Sequence, residues 1–260
     1  MLTLAYLLFW LALAAYVGYL ACDRRPVGRG ATGLTVIAWA ALTAALVRRG
    51  LRAGHWPLTN RYEFALCFVW AIVAVYLLLE ASWRRRQAGA FVLPVALLVA
   101  TYAVTRPADM RATSPLLPVL RSVWLQIHVL TAVVGYGALG VAAGLGLMRM
   151  MGGDRFLESG PAGATPAAME RAVALGFPWL TLSILTGAIW AHRAWGRYWG
   201  WDPKETWTLV TWLWYLLVLH LRASRRRAAL VVAGFGVLLF TFIGLPWLVR
   251  VVRLETLHGF

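Results

Sequence analysis

An all-α integral membrane protein, a bundle of about eight transmembrane helices, is the fold class this sequence predicts, and three observations predict it. Of the 260 residues, 61% are hydrophobic and only 13% are charged, about half the charged share of a soluble domain. The apolar stretches are long enough to cross a bilayer as helices and show no strand-type alternation. Basic residues gather where apolar runs end, at Arg24-Arg25, Arg48-Arg49, Arg84-Arg85-Arg86 and Arg225-Arg226-Arg227, as interfacial anchors do. The same placement argues against nucleic-acid binding as the meaning of the net charge of +15.

The first run, 2–22, lacks a basic leading segment and ends in Asp23-Arg24-Arg25, so it reads as a retained span rather than a cleaved signal. Spans follow at about 31–47, 62–82, 88–105, 124–148, 172–192, 206–221 and 228–247. The second and fourth are short, and the fourth holds Pro94. RPADMRATSPLLPVLRSV is too polar and proline-rich to cross, and GGDRFLESGPAGATPAAMERA is a linker leading into an amphipathic helix start. No internal repeat is evident, so 1–260 reads as a single polytopic membrane domain. Cys22 and Cys67 are isolated, with no CxxC or CxxCH, which points to neither a redox pair nor covalent haem attachment.

Helix parity places the connections 23–30, 84–87, 149–171 and 222–227 on one face, with thirteen of the 25 lysines and arginines; the other face carries twelve. Loop charge alone therefore does not orient the chain. The dense Arg84–Arg86 and Arg222–Arg227 clusters favour the first face as cytoplasmic.

On the second face lies WGRYWGWDPKETW, residues 195–207, with Trp195, Trp199, Trp201 and Trp207 around Asp202, Lys204 and Glu205. Parity puts His55, His128, His192 and His258 on the same face. His220 lies about 16 residues further along the next helix, roughly 24 Å at 1.5 Å per residue. Each histidine alone has a structural explanation: an interfacial imidazole at His128 or His220, a tail residue at His258. Together, His128 and His258 flank a loop of indoles from different helices. Two axial imidazoles with apolar aromatic surface beside them is how proteins hold haem without covalent attachment, and Arg193, Arg197 and Lys204 offer partners for propionates. Asp202-Pro203-Lys204-Glu205 also reads as an N-cap, with proline at the first helical position and glutamate at the third. Capping does not explain four tryptophans, and an aromatic belt would spread them over all helix ends.

GAIWAHRAWGRYWGWDPKETWTLVTWLWYLLVLHLR resembles the tryptophan-rich "WWD" signature of haem-handling membrane proteins. It is most similar to the CcsA (ResC-type) subunits of the System II cytochrome c synthase. PLTNRYEF at 57–64, QIHVLTAVVGYG at 126–137 and the C-terminal His-Gly extend the likeness over most of the chain.

The resemblance implies a cytoplasmic (inner) membrane protein with eight helices, an extracytoplasmic loop and C-terminus, and a haem-handling core over about 62–260. It implies haem b bound at an outer site by His128 and His258, with Trp195, Trp199, Trp201, Asp202 and Trp207 around it. A second, deeper site would involve His220 and a histidine of a CcsB (ResB-type) partner subunit. The implied activity is presentation of haem for thioether attachment to CxxCH apocytochrome c, with separate thiol-reducing proteins keeping the cysteines reduced. One departure stands out: Trp190-Ala191-His192-Arg193 replaces the family's usual Trp-Ala-Asn-Glu, which offers His192 as an extra ligand candidate or, the favoured reading, a replacement hydrogen bonder, and makes this rim more positive. Three alternatives remain open. A HemX-like or CcmC-like haem chaperone or regulator would not ligate haem. A channel or transporter would use its tryptophans only as interfacial anchors.

Overall fold

The computed structural model describes residues 1–83, 86–112, 120–152 and 164–252. Among them the secondary structure is helical, with no strand. Eight long helices alternate in direction: α1 (Leu2–Cys22), α2 (Arg25–Ala53), α3 (Arg61–Trp83), α4 (Gly89–Val104), α5 (Val123–Met150), α6 (Ala164–Trp195), α7 (Pro203–His220) and α8 (Arg225–Leu239). The last continues through a π-helical turn, Phe240–Gly244, into α9 (Leu245–Val252).

Seven of the helical segments are long and apolar enough to cross a membrane. The exception, α7, spans 18 residues, about 27 Å, close to the hydrocarbon thickness. Its apolar content is diluted by Lys204, Glu205 and three threonines.

Several helices exceed the lengths that the apolar runs predict, for local reasons. α2 begins six residues early because Pro26 sits in its first turn, and it ends at Gly54, which takes φ 70° as a left-handed cap. α6 absorbs the amphipathic lead-in as well as Pro178, whereas α4 runs through Pro94 without outgrowing its apolar run.

α5 is the central helix, with 89% of its membrane-length window buried, against 28% for α1 and α2, which pair at the edge. It packs on α3, α4, α6 and α8. Close approach to α3 depends on Gly137: a Cβ there would lie 2.7 Å from Ala71 Cβ and 2.8 Å from the Ala71 carbonyl carbon. Small residues at crossings are how helices pack without a hydrophobic drive between them.

α3 carries a buried carboxylate near each end. Glu63 pairs with Arg49 Nε of α2 at 2.7 Å. Its other oxygen accepts from the Thr59 amide and hydroxyl, while Asn60 accepts from the Glu63 amide, so PLTNRYEF folds as a capped helix start. Glu80 accepts from Tyr16 (2.8 Å), Tyr76 (2.5 Å) and Thr32 (2.5 Å), with Arg86 Nε at 3.5 Å. Carboxylates at such depth persist only when paired and hydrogen-bonded, and these two tie α3 to α1 and α2.

Candidate functional site

His128 lies in the second turn of α5, against α6. Its Nδ1 is 2.8 Å from the Ser183 carbonyl oxygen. A carbonyl only accepts, so Nδ1 carries the proton and Nε2 is the nitrogen with a lone pair. The ring reaches that carbonyl because residue 187, one turn further along α6, is glycine. A Cβ on Gly187 would sit 2.8 Å from Nδ1 and 2.9 Å from Cε1. Trp190 lies near-parallel to the imidazole, 7° between planes at 6.4 Å between centroids, and Trp195 meets Trp190 edge-on at 4.8 Å.

His128 separates two small cavities. One, of about 60 Å³, is lined by Gly187, Trp190, Tyr198, Trp199, Lys204 and Glu205 among others. The second, of about 150 Å³, lies between the 58–61 segment, Phe64, Tyr136, Ser183 and Phe242. His128, Trp190, Lys204 and Thr208 line both. Phe242 and Thr241 enter the second cavity from the π turn. Pro246 supplies a physical reason for that turn, since it has no N–H to complete the α-helical bond to Phe242.

The loop rests on a short framework. Asp202 accepts from the Lys204 amide at 2.9 Å, and Glu205 Oε2 accepts from the amides of Gly200 (2.8 Å) and Asp202 (3.2 Å), a complete capping box for α7. Gly196 turns the chain at φ 75°, and Trp201 is itself left-handed at φ 55°. The four indoles of the motif therefore part company. Trp199 lines the smaller cavity, Trp195 backs Trp190, Trp207 packs edge-on against Phe240 at 4.5 Å, and Trp201 stands 69% exposed.

Of the three cations near the loop, Lys204 faces both cavities. Arg193 lies over Trp124, 5.6 Å from its ring centre, and Arg197 packs on Gly200. The surrounding protein pushes the Lys204 ammonium down to about 8, repulsion from Arg61 adds to this, and Asp202 opposes it. Lys204 keeps much of its surface, so water moderates the effect. Arg61 also lines the larger cavity.

His220 ends α7 at the opposite membrane face. It is exposed, with Nδ1 2.8 Å from the Leu216 carbonyl one turn back. His192 stacks on Tyr198 at 4.2 Å and 9°, and His55 Nδ1 is 2.9 Å from the Trp56 carbonyl oxygen. His258 lies outside the described residues. The structure thus brings His128, Trp190, Trp199 and Lys204 together, and it places Asp202 as the helix cap beside them. Gly187, Ser183, Tyr136 and Arg61 belong to the same surroundings. In the sequence, the PLTNRYEF, QIHVLTAVVGYG and GAIW stretches hinted at Arg61, Tyr136 and Gly187, and none hinted at Ser183.

The structure is an eight-helix bundle with an indole loop beside an oriented imidazole, and the sequence comparisons define its class. The model of the family described as Cytochrome C assembly protein matches residues 58–252, and the chain belongs to that family. Relatives named cytochrome c biogenesis protein CcsA share 35% identity in Synechococcus elongatus, over 83% of each chain. They share 33% in Synechocystis sp., over 92% of each, and 34% in Chlamydomonas reinhardtii, over 78% of this chain and 62% of the relative. The solved structure of the cytochrome c haem lyase CcmF superposes on 93% of this chain with a TM-score of 0.71 at 18% identity. The chain spans 45% of the length of CcmF, and the likeness is one of fold. Membership in this family sets the channel reading aside.

Proposed function

We propose that this chain holds haem b non-covalently at His128 and presents it for attachment to CxxCH apocytochrome c outside the cytoplasmic membrane. The observation that carries the reading is the His128 geometry. The Ser183 carbonyl holds the proton on Nδ1 and Gly187 leaves room for the ring, so Nε2 would be the ligand nitrogen. A histidine oriented through its other nitrogen in this way is what metal ligation requires. Among the described residues no three His, Cys, Asp or Glu side chains gather as a site for a bare ion. A single imidazole suits iron whose equatorial positions a macrocycle already fills.

The surroundings fit a porphyrin edge. Trp190 and Trp199 supply apolar aromatic surface, and Lys204 and Arg61 supply charge for propionates. At about 150 Å³ the larger cavity is smaller than sites that enclose a ligand. Much of the macrocycle would then lie outside the cavity, along the loop, where an apocytochrome segment has access to it.

In this reading His128 and Lys204 anchor and orient, and the loop indoles Trp195, Trp199, Trp201 and Trp207 shape the apolar platform. Asp202 keeps the loop at the start of α7. His258 is assigned as a second residue that would hold the haem iron. Attachment adds each cysteine S–H across a vinyl double bond, sulfur to one carbon and hydrogen to the other, with no net redox change. Positioning is this chain's contribution to the rate. His220, exposed at the opposite face, is assigned to an inner haem site completed by a CcsB/ResB-type subunit, and thiol-reducing proteins keep the substrate cysteines available. The haem-handling core is assigned to about 62–260, with the loop and C-terminus extracytoplasmic.

The test is an absorption spectrum of the purified chain, oxidised and dithionite-reduced, with a pyridine assay for haem type. A low-spin haem b that is lost in His128→Ala and restored by added imidazole supports the proposal. Haem retained unchanged in that variant refutes His128 as ligand. Co-expression with a ResB-type partner and a CxxCH reporter then separates ligation from chaperoning, since a HemX-like or CcmC-like protein would bind haem without yielding holocytochrome.

A further inference from the structure

A second site, independent of the haem reading, lies on the same membrane face as the tryptophan loop. A cavity of about 460 Å³ opens between α2 and the segment following α4, walled by Arg48, Arg49, Arg52, Arg111, Met1 and Ala45 among others. Its volume falls within the range of real ligand pockets.

One of its four guanidiniums is already engaged. Arg49 donates through Nε to Glu63 at 2.7 Å, through Nη1 to the Arg111 carbonyl at 2.8 Å and through Nη2 to the Ala112 carbonyl at 3.1 Å. That clamp pins residues 111–112 onto α2 and brings Arg111 to the same cavity as Arg48 and Arg52. Glu63 is itself fully committed, since its second oxygen accepts from Thr59. Among the described residues, Arg48, Arg52 and Arg111 form no ion pair.

Arginines that end a span often only snorkel to the interface, and that needs no ligand. Two features set this group apart. Arg111 comes from a distant segment whose backbone is held by two hydrogen bonds from another arginine, so like charges are gathered rather than spread. Their repulsion is relieved by an anion between them, and guanidinium forks match phosphate oxygens in pairs. Val47 is 55% exposed and Leu51 80% exposed, aliphatic side chains one position before Arg48 and Arg52 on the same helix. Phosphate next to hydrocarbon is the chemistry of a phospholipid.

We propose that Arg48, Arg52 and Arg111 form a binding site for the phosphate of an anionic phospholipid headgroup, with Val47 and Leu51 against its acyl chains. Full-length protein would be placed in nanodiscs of equal phosphatidylglycerol and phosphatidylcholine, and retained lipid measured by native mass spectrometry. The expected result is preferential retention of phosphatidylglycerol, falling about fivefold for each charge removed, so about a hundredfold in Arg48→Gln/Arg52→Gln/Arg111→Gln. Arg24→Gln/Arg25→Gln/Arg29→Gln, matched in charge on the opposite face, should retain it as the wild type does. Equal loss in both triples would show diffuse surface charge and overturn the proposal, as would undiminished retention in the first. Inorganic phosphate titrated into detergent-solubilised protein distinguishes the source. Binding of phosphate with no preference between the two lipids overturns the lipid assignment. Should the first triple not fold, Arg52→Glu, at an exposed helix position, gives the same comparison.

Discussion

Replacing Gly187 with alanine is the sharpest way to test whether the setting of His128, and not merely its presence, governs the site. The new methyl carbon would sit 2.8 Å from His128 Nδ1 and 2.9 Å from Cε1. Non-bonded atoms settle at about 3.5 Å or more, so the ring must retreat by roughly 0.7 Å. A retreat along that line lengthens the 2.8 Å contact to the Ser183 carbonyl towards about 3.5 Å, outside the hydrogen-bonding range. Losing that bond costs about 1 kcal/mol, and overpacking costs about 1–3 kcal/mol. Alanine in a helix interior returns nearly 1 kcal/mol relative to glycine. The net, about 1–3 kcal/mol, leaves a protein of ordinary stability folded.

Haem retention should suffer more. Disturbing the group that orients a ligating histidine typically costs 10–100-fold in metal affinity. The assay is haem dissociation from purified Gly187→Ala, followed by transfer to an apo-acceptor, beside a thermal melt of the same sample. In a His128→Ala background the methyl has no ring to displace. Without imidazole, haem loss from His128→Ala and His128→Ala/Gly187→Ala should therefore be the same, and the two substitutions should be strongly non-additive. A stable Gly187→Ala protein that releases haem within twofold of the wild-type rate would refute the reasoning.

Other predictions follow from the same contacts. Burial and the neighbouring Arg61 hold the Lys204 ammonium below the ordinary lysine range, so its charge, and with it retention of a propionate-bearing ligand, should be full at neutral pH and weaken as the pH rises towards that range. Lys204→Arg should carry retention past pH 9 and Lys204→Gln should flatten the profile at a lower level; three superimposable dissociation profiles would remove Lys204 from the site. Asp202→Ala should lower the melting stability by about 1 kcal/mol through loss of the cap, while Asp202→Asn keeps most of it; a larger loss in the asparagine variant would mean that the carboxylate charge matters beyond capping. Gly137→Ala should destabilise by about 1–3 kcal/mol, because Ala71 presents backbone as well as its Cβ to the added methyl; an unchanged melt would show that α3 and α5 part at no cost.

What could be read from the sequence, and what could not, divides along the range of the interactions. Apolar runs closed by arginines locate helices, because crossing a bilayer is a requirement on each segment alone, and all eight runs became helices. DPKE could be read as a cap for the same reason, since its bonds span a few residues. Helix parity then placed the tryptophan loop beside His128 and left His220 at the far end, although neither carries a spatial signal of its own. The interactions that orient His128 have no such local signature. The Ser183 carbonyl is 55 positions away, and Gly187 matters only because α5 crosses α6 at that turn. The tryptophan pattern does not reveal which indole lies where. Trp190, which the motif reading treats as a flank, lies parallel to the imidazole, while Trp207 is engaged with Phe240 of the π turn. Arg49 shows the same logic at the cavity edge: its sequence neighbours mark it as one more interfacial arginine, yet its three-way clamp joins α2, α3 and residues 111–112. Glu63 receives that clamp with one oxygen and holds Thr59 with the other, and Thr59 lines the larger cavity beside His128. One buried carboxylate thus ties the wall of the arginine pocket to the wall of the histidine site, which gives PLTNRYEF a physical reason to accompany the tryptophan loop.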